Sequence, residues 1–445
     1  MSKSMRIFLV VWFGQVISML GSGLTSFALG VRIYEQTRSA TLFALVTLSI
    51  LLPGILIAPY AGVLVDRWDR RRALMVNDGG TGLCTALIGL LFWSGHLQLW
   101  EIYLLLACGS VFHGLQYPAY SASMAMLVPK EQLGRASGLS QMGPIATLVA
   151  SPLLAAALYS RVGLSAILLT DLSTFAFALL TLALVRIPRP QGAAAARPAG
   201  GSVHAEAGVG WRFIRSHPGL LGLLVLLFAG NFTMGALQVL LGPLVLSFAT
   251  AKALGTVMAI ASAGMFLGSV VMAATGGPRS KVVGILGALV LQGLVLLLGG
   301  LQPSLFLVST AGFLYLFGMP ILNGCNQAIW LRKVPHEIQG RVLALYRMAT
   351  WASIPLANLL AGPLTDYVFE PLLAKNGALA GSVGQILGTG RGRGAGLFFI
   401  VLGLSNLAAV VVAAQSSHLR RVEEEVPDVQ RPEPREVPAG AVAAS

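Results

Sequence analysis

Apolar residues in this chain fall in long blocks rather than alternating with polar ones, and the blocks are separated by short charged, Gly/Pro-rich or polar turns. Breaking the sequence at those turns gives twelve runs, at 7–31, 40–65, 73–94, 100–127, 136–160, 163–185, 218–248, 253–275, 282–300, 303–330, 340–367 and 395–415. Each is long enough to cross a bilayer, which takes about 20 residues of helix. A transmembrane β-barrel would instead show segments of about ten residues with alternating polarity. The pattern predicts an all-α polytopic membrane protein with twelve transmembrane helices.

Composition agrees. Of 445 residues, 56% are hydrophobic and 11% charged, and mean hydropathy is +0.78. Soluble domains run near one-quarter charged. The net charge of +13 carries its meaning through position. With the N-terminus in the cytoplasm, 22 of the lysines and arginines fall in cytoplasmic connections and tails and 7 outside, with Arg347 inside a span. Lys/Arg excess marks cytoplasmic loops, so both termini are expected inside and no nucleic-acid partner is implied. Cys84, Cys108 and Cys325 lie in apolar runs and read as reduced, buried small residues. A cleavable signal is not expected, because the first apolar run is too long.

The chain divides into an N-terminal bundle at 1–185, a cytoplasmic linker at 186–217, a C-terminal bundle at 218–416 and a charged, Pro-rich tail at 417–445. The linker opens Pro/Ala/Gly-rich and flexible and closes on "AGVGWRFIRSHP", which suits a short interfacial helix. The tail composition predicts disorder. The halves repeat: "VPKEQLGRASGLSQM" from Val128 and "VPHEIQGRVLALYRM" from Val334 match at a constant offset of 206. At that offset Thr147, Ser151, Ala155 and Ala156 fall on Ser353, Ala357, Ala361 and Gly362, giving both fifth helices a stripe of small residues that permits close helix approach. Two parallel, pseudo-symmetric six-helix bundles then frame a site near the midplane.

The densest charge cluster, "GVLVDRWDRRR", lies between the second and third spans. It resembles the loop signature of the major facilitator superfamily, a Gly followed by Asp-Arg and a basic cluster. The resemblance covers nearly the whole chain and is nearest to macrolide-efflux and enterobactin-export type bacterial members. It implies a secondary exporter in the bacterial inner membrane, monomeric, moving a lipophilic drug or natural product by alternating access, with proton antiport. Siderophore export and lysophospholipid flipping use the same scaffold. A non-transporting membrane sensor or assembly factor is the reading from another class. By the resemblance, Gly62, Asp66, Arg67, Arg70, Arg71 and Arg72 form a gating loop in which Asp66 docks on the N-terminus of the eleventh helix. The arginines also meet lipid phosphate, and topology enforcement is the simpler reading of the cluster. Asp69 stands where the superfamily usually has Gly, and the fourth span lacks the arginine of many proton-coupled members.

Ionisable groups inside spans are costly and begin as functional-site hypotheses. Asp171, about 12 Å into its helix at 1.5 Å per residue, is either a proton carrier or an acid satisfied by neighbouring hydroxyls. Asp78 and His113 are further proton-coupling candidates, with a loop-arginine network and hydrogen-bonded packing as their bland readings. Arg347 either meets a carboxylate or anionic substrate or snorkels to the surface. Arg32 and Glu35 are spaced to pair. Cavity-lining candidates come from the first, fourth, seventh and tenth helices: Gln15, Gln116, Tyr117, Asn231, Gln238, Asn323, Asn326 and Gln327. Interhelical hydrogen bonding is the alternative for each. The Phe369–Gly394 connection holds "LGTGRGRGAG", but it follows no strand of a βαβ unit and does not predict nucleotide binding; an amphipathic surface segment is expected. The sequence offers no Walker motif, metal-ligand spacing or paired catalytic carboxylates. No enzyme activity, metal or cofactor is expected.

Overall fold

The computed structural model describes residues 3–116, 119–120, 123–124, 128, 133–185, 203–335 and 338–425, in places by backbone alone. Among these the chain is helical, with no strand. The N-terminal bundle comprises α1 (Lys3–Thr37), α2 (Ala40–Arg67), α3 (Arg70–Trp93), α4 (Leu99–His113) and α5 (Leu133–Leu184). After α6 (Val203–Ser216) come α7 (Pro218–Phe248), α8 (Ala251–Thr275), α9 (Lys281–Leu301) and α10 (Leu305–Lys333). The eleventh run is divided into α11 (Gln339–Trp351), α12 (Ser353–Leu364) and a π turn, Thr365–Phe369, before α13 (Glu370–Leu372). Then follow α14 (Val383–Leu387), α15 (Arg393–Gln415), α16 (Ser417–Arg420) and α17 (Val422–Glu425).

Each predicted apolar run is mostly helical over its described part, and among the described residues nine helical stretches are long and apolar enough to cross a membrane unaided. One of these belongs to α5, which turns at Gly163, where φ is 78°. A side chain at that φ is strained, so glycine makes the corner between two limbs, 133–162 and 164–184. The fourth run is interrupted at Gly114 and Leu115, where α4 ends, and is helical again at 116, 119–120 and 123–124 among its described residues.

Two corrections concern the ends and the cysteines. The tail is ordered as far as Glu425: Leu419 and Val422 are buried, and the Glu423 carboxylate accepts from the Val282 amide at 2.7 Å. Burial of apolar side chains outweighed local composition there; residues 426–445 lie outside the described set. Cys108 is exposed, unlike Cys84 and Cys325.

The halves meet unevenly. At the end bearing the connections 38–39 and 249–250, here the distal end, one apolar cluster joins Val31, Ala40 and Ala44 to Val239, Leu240, Val257 and Ala361. At the termini end the described residues of the halves form separate clusters, one around Phe8, Leu74 and Leu182, the other around Leu220, Trp330 and Leu419.

Candidate functional site

The sequence places small residues where these helices touch. Gly23 of α1 packs on Ser151 of α5, and Gly235 of α7 packs on Ala357 of α12. Between the halves, Gly255 of α8 meets Ala156, while Gly362 of α12 meets Thr41 and Ala44 of α2. The 206-residue offset thus relates Ser151 to Ala357 within the halves and Ala156 to Gly362 between them.

Between the bundles lies a cavity of about 370 Å³, walled by Phe27, Phe43, Leu51, Leu241 and Met258, with Gln238 among its few polar groups. Sharing the wall residues Gly23, Ser26, Ile50 and Thr147 with it is a second chamber of about 240 Å³ inside the N-terminal bundle. Ser22, Thr81, Cys84, Thr85 and His113 line it, with Asp171 in its wall. Asp171 is buried; its Oδ2 accepts from Thr25 at 2.7 Å and Thr85 at 3.2 Å. Its Oδ1 has no hydrogen-bond partner among the described residues. Thr25 and Thr85 come from α1 and α3, so the hydroxyl reading of Asp171 holds for one oxygen only. Of the neighbours expected from sequence, Thr170 and Thr174 bond backbone carbonyls.

Asp78 forms a second buried centre. It accepts from Gln15 Nε2 at 2.6 Å, Asn77 Nδ2 at 2.9 Å and Ser18 Oγ at 3.5 Å, and Gln15 in turn accepts from Gln116 at 3.0 Å. Among the described residues the partners of Asp78 are those of this network. Two cavity candidates, Gln15 and Gln116, belong to it as well. Of the rest, Gln238 lines the central cavity. Asn231 donates to the Thr350 carbonyl and Asn326 to the Tyr346 hydroxyl, both packing contacts. Asn323, Gln327 and Arg347 are exposed, and Tyr117 lies outside the described residues.

In the loop signature, Asp69 caps α3 by accepting from the Arg71 amide at 3.0 Å. Arg71 donates from Nε to the Leu182 carbonyl at 2.7 Å and from Nη2 to Ala183 at 2.6 Å. It satisfies two of the carbonyls that the end of α5 leaves unpaired. Arg72 is exposed. Gly62, Asp66 and Arg67 end α2 and Arg70 begins α3; their side chains, like the expected dock at His336 and Glu337, lie outside the described set. Arg32 and Glu35 do not pair: Arg32 sits over the Phe92 ring, and Glu35 accepts from Tyr159 at 3.0 Å.

The distal seal escaped sequence reading. Asp366, in the π turn, accepts from Ser39 Oγ at 2.6 Å and from the Ala40 and Thr41 amides at 3.0 and 2.8 Å. A carboxylate of one half caps the first turn of a helix in the other.

Two bundles closed at one end over a shared cavity have the architecture of an alternating-access transporter. A family model of the Major Facilitator Superfamily matches residues 11–358, and the chain belongs to that family. It is a transporter, not an enzyme. Macrolide efflux protein A of Streptococcus pyogenes is 26% identical over 81% of this chain and 90% of its own length. The multidrug efflux pump Tap of Mycolicibacterium fortuitum is 24% identical over 80% and 89%. Among solved structures, a bacterial homolog of the human lysosomal transporter Spinster, inward-facing and unoccupied, superposes with a TM-score of 0.65 at 16% identity, covering 95% of this chain and 98% of that one. The nucleoside transporter NupG reaches 0.67 at 12%, covering 91% and 99%.

Proposed function

We propose that this protein is a proton-coupled exporter of lipophilic compounds, macrolides among them, with twelve crossings and both termini on the cytoplasmic side of the bacterial inner membrane. The carrying observation is Asp171: a buried carboxylate with one oxygen unpartnered among the described residues, in a chamber that shares a wall with the cavity between the halves. An acid held there carries a proton or releases it according to what fills the adjoining cavity. The mainly apolar cavity wall suits bulky lipophilic molecules with few hydrogen-bonding groups. With the termini end cytoplasmic, the distal seal is the outer gate, and the described conformation is closed to the outside. A sensor or assembly factor would have no need of a polar chamber beside an interhalf cavity. Asp66 docking on the eleventh helix remains the proposed inner gate.

The test uses inside-out vesicles with an imposed acid-inside gradient and radiolabelled erythromycin as probe. Wild type is expected to accumulate the probe in a gradient-dependent way, and Asp171→Asn to lose at least tenfold of that rate. Equal gradient-driven accumulation in both proteins, or accumulation by wild type indifferent to the gradient, overturns the reading.

A further inference from the structure

Two buried carboxylates lie at different depths of one bundle, and polar side chains run between them. On α1, Gln15, Ser18, Ser22 and Thr25 follow at steps of three and four residues, which keeps them on one helix face. On α3, Asp78, Thr81 and Thr85 do the same. Ser18 reaches Asp78 and Thr25 reaches Asp171, so the α1 stripe touches one acid at each end. Thr85, bonded to Asp171, lies seven residues beyond Asp78, about 10 Å along the helix axis. Between the two acids, Ser22 and Thr81 line the 240 Å³ chamber. A water takes about 30 Å³ of liquid, so there is room for several. Asp171 stands nearer the distal end and Asp78 nearer the termini end, since α5 returns from Gly163 and α3 rises from Arg70.

From this placement we propose that the N-terminal bundle contains a proton path of its own, from Asp171 through the hydroxyl-lined chamber to Asp78, distinct from the route of the transported compound. It rests on the proton-coupled reading and deepens it by giving the proton a second carboxylate. The protonated Asp171 carboxyl gives its proton to chamber water; the excess proton passes along water and the Ser22 and Thr81 hydroxyls; the Asp78 carboxylate takes it up. Each transfer breaks one O–H bond and forms another, and the proton is released toward the termini end. Gln15 and Asn77 hold Asp78 in place as positioning residues.

The groups around each acid leave the path to these two. Facing Asp171 are Thr25 from α1, Cys84 and Thr85 from α3, and His113 from α4 across the chamber; α2 contributes the apolar Ile50 to the chamber wall. Around Asp78 are Gln15 and Ser18 from α1, its neighbour Asn77, and Gln116 beyond Gln15; the second limb of α5 packs Phe175 on Gly82 of the same helix. Among the described residues no lysine or arginine perturbs either carboxylate.

The experiment reconstitutes the full chain in liposomes and separates two rates for radiolabelled erythromycin: transport driven by a pH gradient, and exchange of labelled for unlabelled probe without a gradient. Asp78→Asn is expected to lower the driven rate at least tenfold while exchange stays within threefold. The double variant Ser22→Ala/Thr81→Val, which removes the hydroxyls and keeps the volume, is expected to lower the driven rate threefold or more, with the same sparing of exchange. It decides the matter if Asp78→Asn does not fold. A driven rate within twofold of wild type, or a parallel loss of both rates, overturns the path. Asp171→Asn runs alongside: loss there with none in Asp78→Asn leaves proton coupling standing and removes only the path, whereas no loss in either counts against the coupling itself.

Discussion

Gly21 sets the position of Asp171. A Cβ there would run into Thr174 Oγ1 and Asp171 Oδ1, so α1 approaches the acid's helix only because residue 21 has no side chain. Gly21→Ala is therefore expected to destabilise by roughly 1–3 kcal/mol, the usual cost of overpacking, and to cut gradient-driven transport more than membrane insertion. Erythromycin accumulation per unit of folded protein checks it. Unchanged accumulation would mean that the acid tolerates displacement. Asp69 gives a milder case. As N-cap of α3 it is worth about 1 kcal/mol, so Asp69→Ala should lower the thermal midpoint slightly and leave driven transport intact. Asp171 was legible in the sequence because a carboxylate in an apolar run is costly enough to be rare. Its partners were not: Thr25 and Thr85 are separated from it by 146 and 86 residues, and a hydroxyl inside a helix can as well bond its own backbone.

At the scale of elements, the first turn of α2 is held by a group from the opposite bundle. A carboxylate at a helix N-terminus satisfies free amides and meets the positive end of the helix dipole, typically worth 0.3–1 kcal/mol and up to about 2 when partly buried. Losing 1–2 kcal/mol shifts a two-state balance about five- to thirtyfold. Asp366→Ala is accordingly expected to favour the distal-open form by that factor. The measure is the rate at which a membrane-impermeant maleimide, added from the distal side of whole cells, labels a cysteine placed at Gln238; no acceleration would refute the seal. The Phe369–Gly394 connection shows a related use of an acid. Glu370 accepts from the Gly392 amide at 2.8 Å, while Gly394 presses on the Glu370 backbone where no Cβ fits. A carboxylate of the same segment thus occupies a glycine loop that superficially looks made for phosphate. Burial pushes the Glu370 carboxyl up from its ordinary value, against the lowering effect of the Gly392, Ala395 and Gly394 amides. An acid with a raised folded-state pKa stabilises below its unfolded value and loses that contribution as pH rises through the folded one. Thermal stability should fall across that interval in wild type and not in Glu370→Gln.

For the whole molecule, the helical class, the two halves and the twin small-residue stripes could be read from the sequence, because length, apolarity and a constant offset are local or repeated properties. The closure that joins the bundles at the distal end could not. It depends on residues such as Asp366, Phe43 and the Gly242 against which Phe43 packs, which come from distant segments and carry no mark of their partners. The breaks at Gly114 and in the π turn likewise interrupt runs whose composition reads as continuous helix. The symmetric contacts also offer a way to arrest the cycle. A Cβ on Gly362 would lie 3.0 Å from that of Ala44 and 2.6 Å from the Thr41 backbone, so the helices must part slightly to reach the roughly 3.5–4.5 Å of a disulfide. In a background lacking Cys84, Cys108 and Cys325, the pair Ala44→Cys and Gly362→Cys is expected to cross-link on mild oxidation and to hold the distal end shut. Erythromycin transport should then fall at least tenfold and return on adding a reductant, while either single cysteine leaves it unaffected by oxidation. Transport that persists with the bond formed would show that this contact stays together through the cycle, and the two halves would then have to move about it rather than apart.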